Sequence, residues 1–228
     1  MSWLAEPFVT PLDLKTVQGS LDAIQQNLQL TLDRRERILK ESRDIILSCS
    51  RAIVFLHSGK TKEARKEISG AEKVLRHLRR DALGNLARYL ISPETEFVEA
   101  STVESIVLKR PIKDARALGV SDEAYLLGLL DTVGELKRLL LVTITRGAGA
   151  KTEEYFAAIE ELYAILSPFA VFDNVVNGVR RKIDVARMIT EDTRGIIAEE
   201  TRRQALLSSI KSLQRDMNRR RGGVPTLD

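Results

Sequence analysis

The chain is poor in cysteine and aromatic residues and has no long uninterrupted apolar run. Its 228 residues include one cysteine and one tryptophan, and aromatics make up 5%. The single Cys49 cannot form an internal disulfide, and its apolar helical setting indicates a structural role in a reducing compartment. The first residues carry an acid and two prolines rather than a signal sequence, and no segment approaches ~18 apolar residues. We therefore expect a cytoplasmic protein without a membrane partner.

Glycine and proline are also scarce, and the remaining composition favours helix. There are 13 glycines and 6 prolines in a chain that is 43% hydrophobic and 30% charged. Leu, Ala, Glu, Lys and Arg dominate, and no stretch alternates as strands do. The formal net charge of +4 is a weak argument for an anionic partner.

Long amphipathic segments predict an all-α bundle of six or seven helices with very long first and last helices. The first runs between Pro11 and Gly59; roughly 40 helical residues span about 60 Å, which outreaches a compact domain and favours contact with partner subunits. The others are Thr61 to about Arg79, a region from Asp81 to Arg110 with a kink or N-cap at Ser92 and Pro93, Ser121 (N-cap) to about Arg146, Thr152 to about Leu166, and a last helix from near Asp173 into Arg219–Gly223. We expect a single domain over 1–228, with flexible ends at 1–12 and 219–228.

Two pairs of acids lie at helical spacing within otherwise apolar segments. Glu96 and Glu99 are three residues apart, and Asp131 and Glu135 are four apart, so each pair shares a helix face. Burying four unpaired carboxylates is favourable only with cations present, which indicates a divalent metal site. The alternative is a solvated face, because 32 Asp and Glu residues produce such spacings by chance. The nearby Gly128 and Gly134 indicate either a close approach of substrate or tight helix packing.

The ligand types favour Mg²⁺, or Mn²⁺, over zinc. Hard ions prefer carboxylate oxygens, and the chain has only two histidines to offer nitrogen. His57 lies at helical spacing from apolar residues, which favours a hydrogen-bonded structural role. Basic residues cluster on the first helices, where they form either a phosphate-binding band or an ordinary solvated face. The candidate RNA contacts are Arg34, Arg37, Lys40, Lys66 and Arg88.

Four strings carry a family resemblance. They are RERILKESRDI (35–45), RAIVFLH (51–57), EFVEA (96–100) and YLLGLLDTVGELKR (125–138). Together they resemble the translin family, and within it the Trax branch, possibly of archaeal type. The resemblance implies a translin-like bundle that assembles into closed octamers, as a homo-oligomer or with a translin-type subunit. It also implies an Mg²⁺-dependent endoribonuclease of single-stranded RNA, with catalytic and metal-binding residues at Glu96, Glu99, Asp131 and Glu135.

Departures from the family pattern leave other functions open. Val133 stands where the family has a threonine, and the histidine-rich run that translin uses for nucleic acid is absent. Glu135 is either a fourth metal ligand, an acid that orients water, or the partner of a neighbouring Lys or Arg. The alternatives to the nuclease are a non-catalytic shell that binds single-stranded nucleic acid, an all-α metal-dependent nucleotide pyrophosphatase, and a metal-binding regulatory bundle.

Overall fold

All of the regular secondary structure in the described chain is helical. The computed structural model describes residues 14–147 and 149–221, and it contains no strand within them. The helices are α1 (Lys15–His57), α2 (Thr61–Asp81), α3 (Ile91–Val107), α4 (Ala115–Leu118), α5 (Asp122–Thr145), α6 (Gly149–Leu166) and α7 (Val179–Arg221), with 3-10 segments at Gly84–Leu90 and Ser167–Phe172. The predicted all-α class is confirmed, and α1 and α7 are each 43 residues long.

Several predicted helix ends are confirmed and others are wrong. The Ser121 hydroxyl accepts a hydrogen bond from the Ala124 N–H at 3.3 Å, so it caps α5 as predicted. However, α6 begins at Gly149 rather than Thr152. α7 begins at Val179 rather than near Asp173, because a 3-10 segment and a turn intervene. Asp173 instead accepts the Arg180 backbone N–H at 3.0 Å.

The predicted third region divides into two elements. A 3-10 segment precedes α3, which begins at Ile91, so Ser92 and Pro93 lie in the first turn of the helix. Proline is tolerated there because the first N–H groups of a helix have no intrahelical acceptor. Residues 219–221 continue α7 as helix. The other expected ends, 1–12 and 222–228, lie outside the described residues.

Helices α3 and α5 form the centre of the bundle. α3 packs against α1, α2 and α5, while α5 also contacts α6 and α7. Phe97 and Val98 of α3 and Leu136 and Leu140 of α5 are almost completely buried. A polar residue that faces the other helix between these positions is therefore removed from bulk water.

The contact between α3 and α5 is closest at Gly128. A Cβ atom at this position would lie 2.6 Å from the Thr95 carbonyl oxygen and 2.6 Å from Val98 Cβ. A Cβ on Gly134 would meet only Ile189 Cδ1, at 3.9 Å. Tight helix packing therefore explains Gly128, whereas no other described helix approaches Gly134 comparably closely.

Both long helices extend past the bundle with apolar side chains exposed. On α1 these are Val17, Leu21, Ile24 and Leu28, each more than half exposed and spaced by three or four residues. On α7, the exposed apolar residues include Leu206, Ile210, Leu213 and Met217. Regular apolar stripes of this kind are typical of helices that pair with another helix.

One segment has the length and composition of a membrane span, contrary to the expectation that none would. Lys151–Phe172 reaches a mean hydropathy of 1.4 over its most apolar window. Within the bundle, Tyr155, Ile159 and Leu162 of this segment are buried in the core. Core helices of bundles share this composition, so it does not by itself indicate a membrane.

Candidate functional site

The packing of α3 on α5 brings the four predicted acids into one region. Glu99 is 8% exposed, and Glu96, Asp131 and Glu135 are partly buried. The charges of Glu96, Asp131 and Glu135 all act on Glu99. The two pairs therefore form one electrostatic cluster, although even their nearest members, Glu99 and Asp131, are 32 residues apart in the chain.

Glu96 and Glu99 form no hydrogen bond or ion pair with any side chain that the structure describes. Burial, followed by the charges of Glu96, Asp131 and Glu135, raises the pKa of Glu99 to about 8. Burial and the charge of Asp131 likewise raise the pKa of Glu96. A buried carboxylate without donors is costly, so these two acids lack the compensation that buried charges need.

Asp131 and Glu135, by contrast, already have cationic partners. The Lys182 ammonium of α7 donates hydrogen bonds to both carboxylate oxygens of Asp131. Glu135 lies 2.6 Å from His57 Nε2 and accepts from Arg138 at 2.9 Å. Burial alone would raise the pKa of Glu135, but the hydrogen bonds from His57 and Arg138 outweigh it and lower that pKa.

These contacts bear on two open points about the sequence. His57 forms the hydrogen bond that its structural role requires, and it holds Glu135 from α1. Glu135 is bonded to Arg138 on its own helix, as the salt-bridge alternative requires, and to His57 as well. The Glu135 carboxylate is therefore fixed in place and ionised over a wide pH range.

An open pocket of about 460 Å³ is lined by two of the four predicted acids, Glu96 and Asp131, but not by Glu99 or Glu135. Glu96, Glu123 and Asp131 line it together with Arg88 and Lys182. It therefore combines carboxylates with cations on one concave surface. Such a mixture suits a phosphate group together with a cation.

The candidate RNA contacts are dispersed. Of the five, Arg88 lines the acid pocket, whereas Arg34, Arg37, Lys40 and Lys66 lie exposed on α1 and α2. Arg37 forms an ion pair with Asp81 at 3.1 Å, so part of the basic band is an ordinary charged surface.

Beside the pocket, Arg88 is part of a cluster that the sequence patterns did not indicate. The guanidinium groups of Arg35 and Arg88 lie 5.2 and 5.0 Å from the centre of the Tyr89 ring. Both donate hydrogen bonds to the Tyr89 hydroxyl, and these lower its pKa. Sequence spacing could not have indicated this cluster or Lys182. Arg35 and Tyr89 are far apart in the chain, and so are Lys182 and Asp131.

Cys49 lies behind the acids with the structural role expected of it. It is completely buried. Burial and then the charges of Glu96 and Glu99 raise the pKa of its thiol to about 12. A thiol that stays protonated at neutral pH is a poor nucleophile.

The surroundings of the acids test whether they suit a divalent cation. Within residues 14–147 and 149–221, no three His, Cys, Asp or Glu side chains close on one point in their present rotamers. The donor chemistry nevertheless fits Mg²⁺ or Mn²⁺, because Glu96, Glu99 and Asp131 are hard oxygen donors and two of them have no other partner. Glu135 is held elsewhere by His57 and Arg138.

Comparisons with known proteins agree with the helical architecture. The pattern of the translin family matches residues 85–190, which include all four acids. An uncharacterised protein of Methanocaldococcus jannaschii is 35% identical over 185 residues, or 79% of this chain and 82% of that protein.

Solved structures are similar over most of the chain. AfC3PO matches with a TM-score of 0.74 and 28% identity, covering 80% of this chain and 97% of that one. AfC3PO in complex with duplex RNA matches with a TM-score of 0.73 and 27% identity, covering 80% of this chain and 96% of that one. Apo-NeC3PO shares the fold: it matches with a TM-score of 0.71 and 19% identity, covering 79% of this chain and 96% of that one. The family pattern, the relative and these structures all coincide with the resemblance of the sequence motifs: the chain belongs to the translin family.

Proposed function

We propose that this protein is a cytoplasmic, Mg²⁺-dependent endoribonuclease that hydrolyses single-stranded RNA inside an oligomeric shell. The observation that carries the proposal is the buried Glu99, which receives no hydrogen bond from the described side chains. One turn before it on α3, Glu96 lines a pocket together with Asp131 and Arg88. A buried carboxyl group whose raised pKa is offset by no hydrogen-bond donor of the described chain is most readily explained by a function that uses it.

The side chains divide the chemistry between them. Glu96, Glu99 and Asp131 would hold the cation, which when bound supplies Lewis-acid chemistry and lowers the pKa of water. Glu135 is oriented by His57 and Arg138 and stays ionised, so it can accept a hydrogen bond from the attacking water. Arg88 lies on the pocket wall, where its guanidinium can pair with a phosphate of the substrate.

The RNA partner is proposed from both the surface and the relatives. AfC3PO has been crystallised with duplex RNA, so the preference of this chain for single strands needs direct comparison with a duplex. Arg34, Arg37, Lys40 and Lys66 are exposed and can contact phosphates outside the pocket. Binding should weaken steeply with salt. Sequence preference should be slight, since aromatics for base stacking make up only 5% of residues.

The shell is proposed to be a homo-oligomer, with eight copies as the family resemblance implies; a translin-type partner subunit is the other arrangement. The support within this chain is the apolar stripe of α1, where Val17, Leu21, Ile24 and Leu28 are exposed at helical spacing. Such a stripe gains stability when a second helix covers it.

The nuclease assignment is tested with short single-stranded and duplex RNAs. Wild type should cut in Mg²⁺ and not in EDTA, and Glu99→Gln should lose at least about 100-fold in cleavage while still binding RNA and assembling. Glu104→Gln is the matched control, because Glu104 lies on the same helix but pairs with Arg65 away from the acids. Cleavage unaffected by EDTA, or equal in Glu99→Gln, would contradict the assignment.

A non-catalytic RNA-binding shell is the second candidate. The ion pairs of Asp131 with Lys182 and of Glu135 with Arg138 favour it, because they neutralise two of the four acids without metal. In the same assay this candidate predicts bound but uncut RNA. Release of pyrophosphate from nucleoside triphosphates would instead identify a pyrophosphatase.

The assembly is tested by placing a charge in the α1 stripe. Ile24→Asp should shift sedimentation towards smaller species with little change in helicity, because the charge would be buried in a helix pair. Gln26→Asp, on another face of the same exposed segment, should assemble normally. Identical sedimentation of Ile24→Asp and wild type would show that the stripe is not an interface.

A further inference from the structure

Lys182 places a positive charge next to the predicted metal ligands Glu96 and Asp131. It is located in the first turns of α7, and its ammonium group donates to both oxygens of Asp131. Its side chain lines the acid pocket together with Glu96. Neither helix spacing nor the chemistry proposed above assigns a function to this lysine.

The charge of Lys182 acts on three of the four acids. Besides its contact with Asp131, it opposes the effects of burial and repulsion on the pKa of Glu96 and of Glu99. Glu135 has its own partners, the guanidinium of Arg138 and the imidazole of His57. Three carboxylates therefore share one ammonium, and a divalent cation would be attracted to the same acids.

The Lys182 side chain also has room to leave Asp131. Its side chain is 36% exposed and that of Asp131 is 30% exposed. Lys182 and Asp131 also both line a second open pocket of about 350 Å³, so the lysine has open space on two sides. A lysine has a long flexible stem and a well-hydrated head group, so it can exchange one anionic partner for water or a phosphate.

We propose that the Lys182 ammonium competes with the divalent cation for the Asp131 carboxylate and thereby sets how tightly the site binds metal. The inference rests on the proposed function, because it assumes that Glu96, Glu99 and Asp131 are the ligands. A cation held by these acids would repel the ammonium from Asp131, and the partly exposed lysine side chain would then turn towards solvent. The competition keeps metal affinity below what three buried carboxylates alone would give.

The test is calorimetric titration of the full-length, RNA-free protein with Mn²⁺. Lys182→Met should bind Mn²⁺ roughly 10-fold or more tightly than wild type, because one unit of opposing charge has been removed near the ion. Arg181→Met is the matched control: it removes a positive charge from the neighbouring, exposed position and should stay within about 2-fold of wild type. Glu99→Gln should abolish or strongly weaken the binding, which shows that the titrated site is the acid cluster.

Unchanged or weaker binding in Lys182→Met would overturn the inference, and so would an equal gain in Arg181→Met. If wild type still cuts RNA with Mg²⁺ in that case, the proposed function stands without it. Absence of Mn²⁺ binding in every folded variant would overturn both the inference and the metal-dependent function. If Lys182→Met does not fold, Lys182→Gln decides, because it also removes the charge but keeps one hydrogen-bond donor for Asp131.

Discussion

Two turns of α3 each bury a glutamate, but only one of the two carboxylates is hydrogen-bonded to the rest of the described protein. Glu94, in the first turn, is 5% exposed and accepts three hydrogen bonds at 2.9 Å: from Arg79 Nε, from the Ser121 backbone N–H and from the Ser121 hydroxyl. Glu99, little more than one turn later, is 8% exposed and receives none from the described residues. Burial is therefore nearly equal, while the Glu94 carboxylate has three donors and the Glu99 carboxylate has none among the described residues.

The difference shows that burial alone does not mark a functional acid. Glu94 connects α2, α3 and the start of α5, since its partners are Arg79 and the N-cap Ser121. It has a structural role because its donors come from the fold itself. Glu99 depends on something that the described residues do not supply, and a ligand is the simplest source.

The comparison is tested most strongly by removing the charge of Glu94. Glu94→Gln should lower the free energy of unfolding by about 3 kcal/mol, because it leaves the mostly buried Arg79 guanidinium without a counter-charge. Urea denaturation at fixed protein concentration measures this. Glu104→Gln removes a charge from the same helix, but its partner Arg65 is half exposed, so it should change stability by less than about 1 kcal/mol. Similar losses of unfolding free energy in the two variants would mean that the buried Glu94–Arg79 pair stabilises the fold no more than the more exposed Glu104–Arg65 pair.

The same substitution at Glu99 should have the opposite sign. In EDTA at pH 7, Glu99→Gln should raise the free energy of unfolding by about 2 kcal/mol, since the folded protein no longer has to protonate or desolvate this carboxylate. The same urea titration measures the gain. A loss of stability comparable to that of Glu94→Gln would show that Glu99 has a structural partner after all.

The effect at Glu99 should depend on pH in a defined direction. Its pKa is about 8 in the folded protein against 4.5 for the ordinary carboxyl, so the folded state holds the proton more tightly than the unfolded state. Stability from this group is then fully present below pH 4.5 and declines as the pH rises towards 8. The gain of Glu99→Gln over wild type should accordingly grow across this window and level off above it. A gain that is constant with pH would refute the raised pKa.

The contrast also shows what sequence patterns could and could not predict. Helical spacing is local, so it predicted that Glu96 and Glu99 share one face and that Asp131 and Glu135 share another. It could not rank Glu94 against Glu99, because the donors to Glu94 come from Arg79 and Ser121, on other elements. Lys182 was missed for the same reason. The start of α7 was placed too early because the turn over 173–178, in which Asp173 accepts from the Arg180 N–H, separates Asp173 from the helix.

The last prediction concerns the packing that holds both turns of α3 against α5. A Cβ on Gly128 would overlap the Thr95 carbonyl oxygen and Val98 Cβ, each at 2.6 Å, and these residues lie between Glu94 and Glu99. Gly128→Ala should therefore cost about 1 to 2 kcal/mol, since the overlap exceeds the gain in helix propensity. Gly134→Ala, whose Cβ would reach only Ile189 Cδ1 at 3.9 Å, should instead gain up to about 1 kcal/mol. Thermal unfolding of the two variants measures the difference, and equal shifts would mean that α3 can move away from α5 at little cost. In that case the acids would not be held at a fixed separation, and the distinction between the two turns would rest on their hydrogen bonds alone.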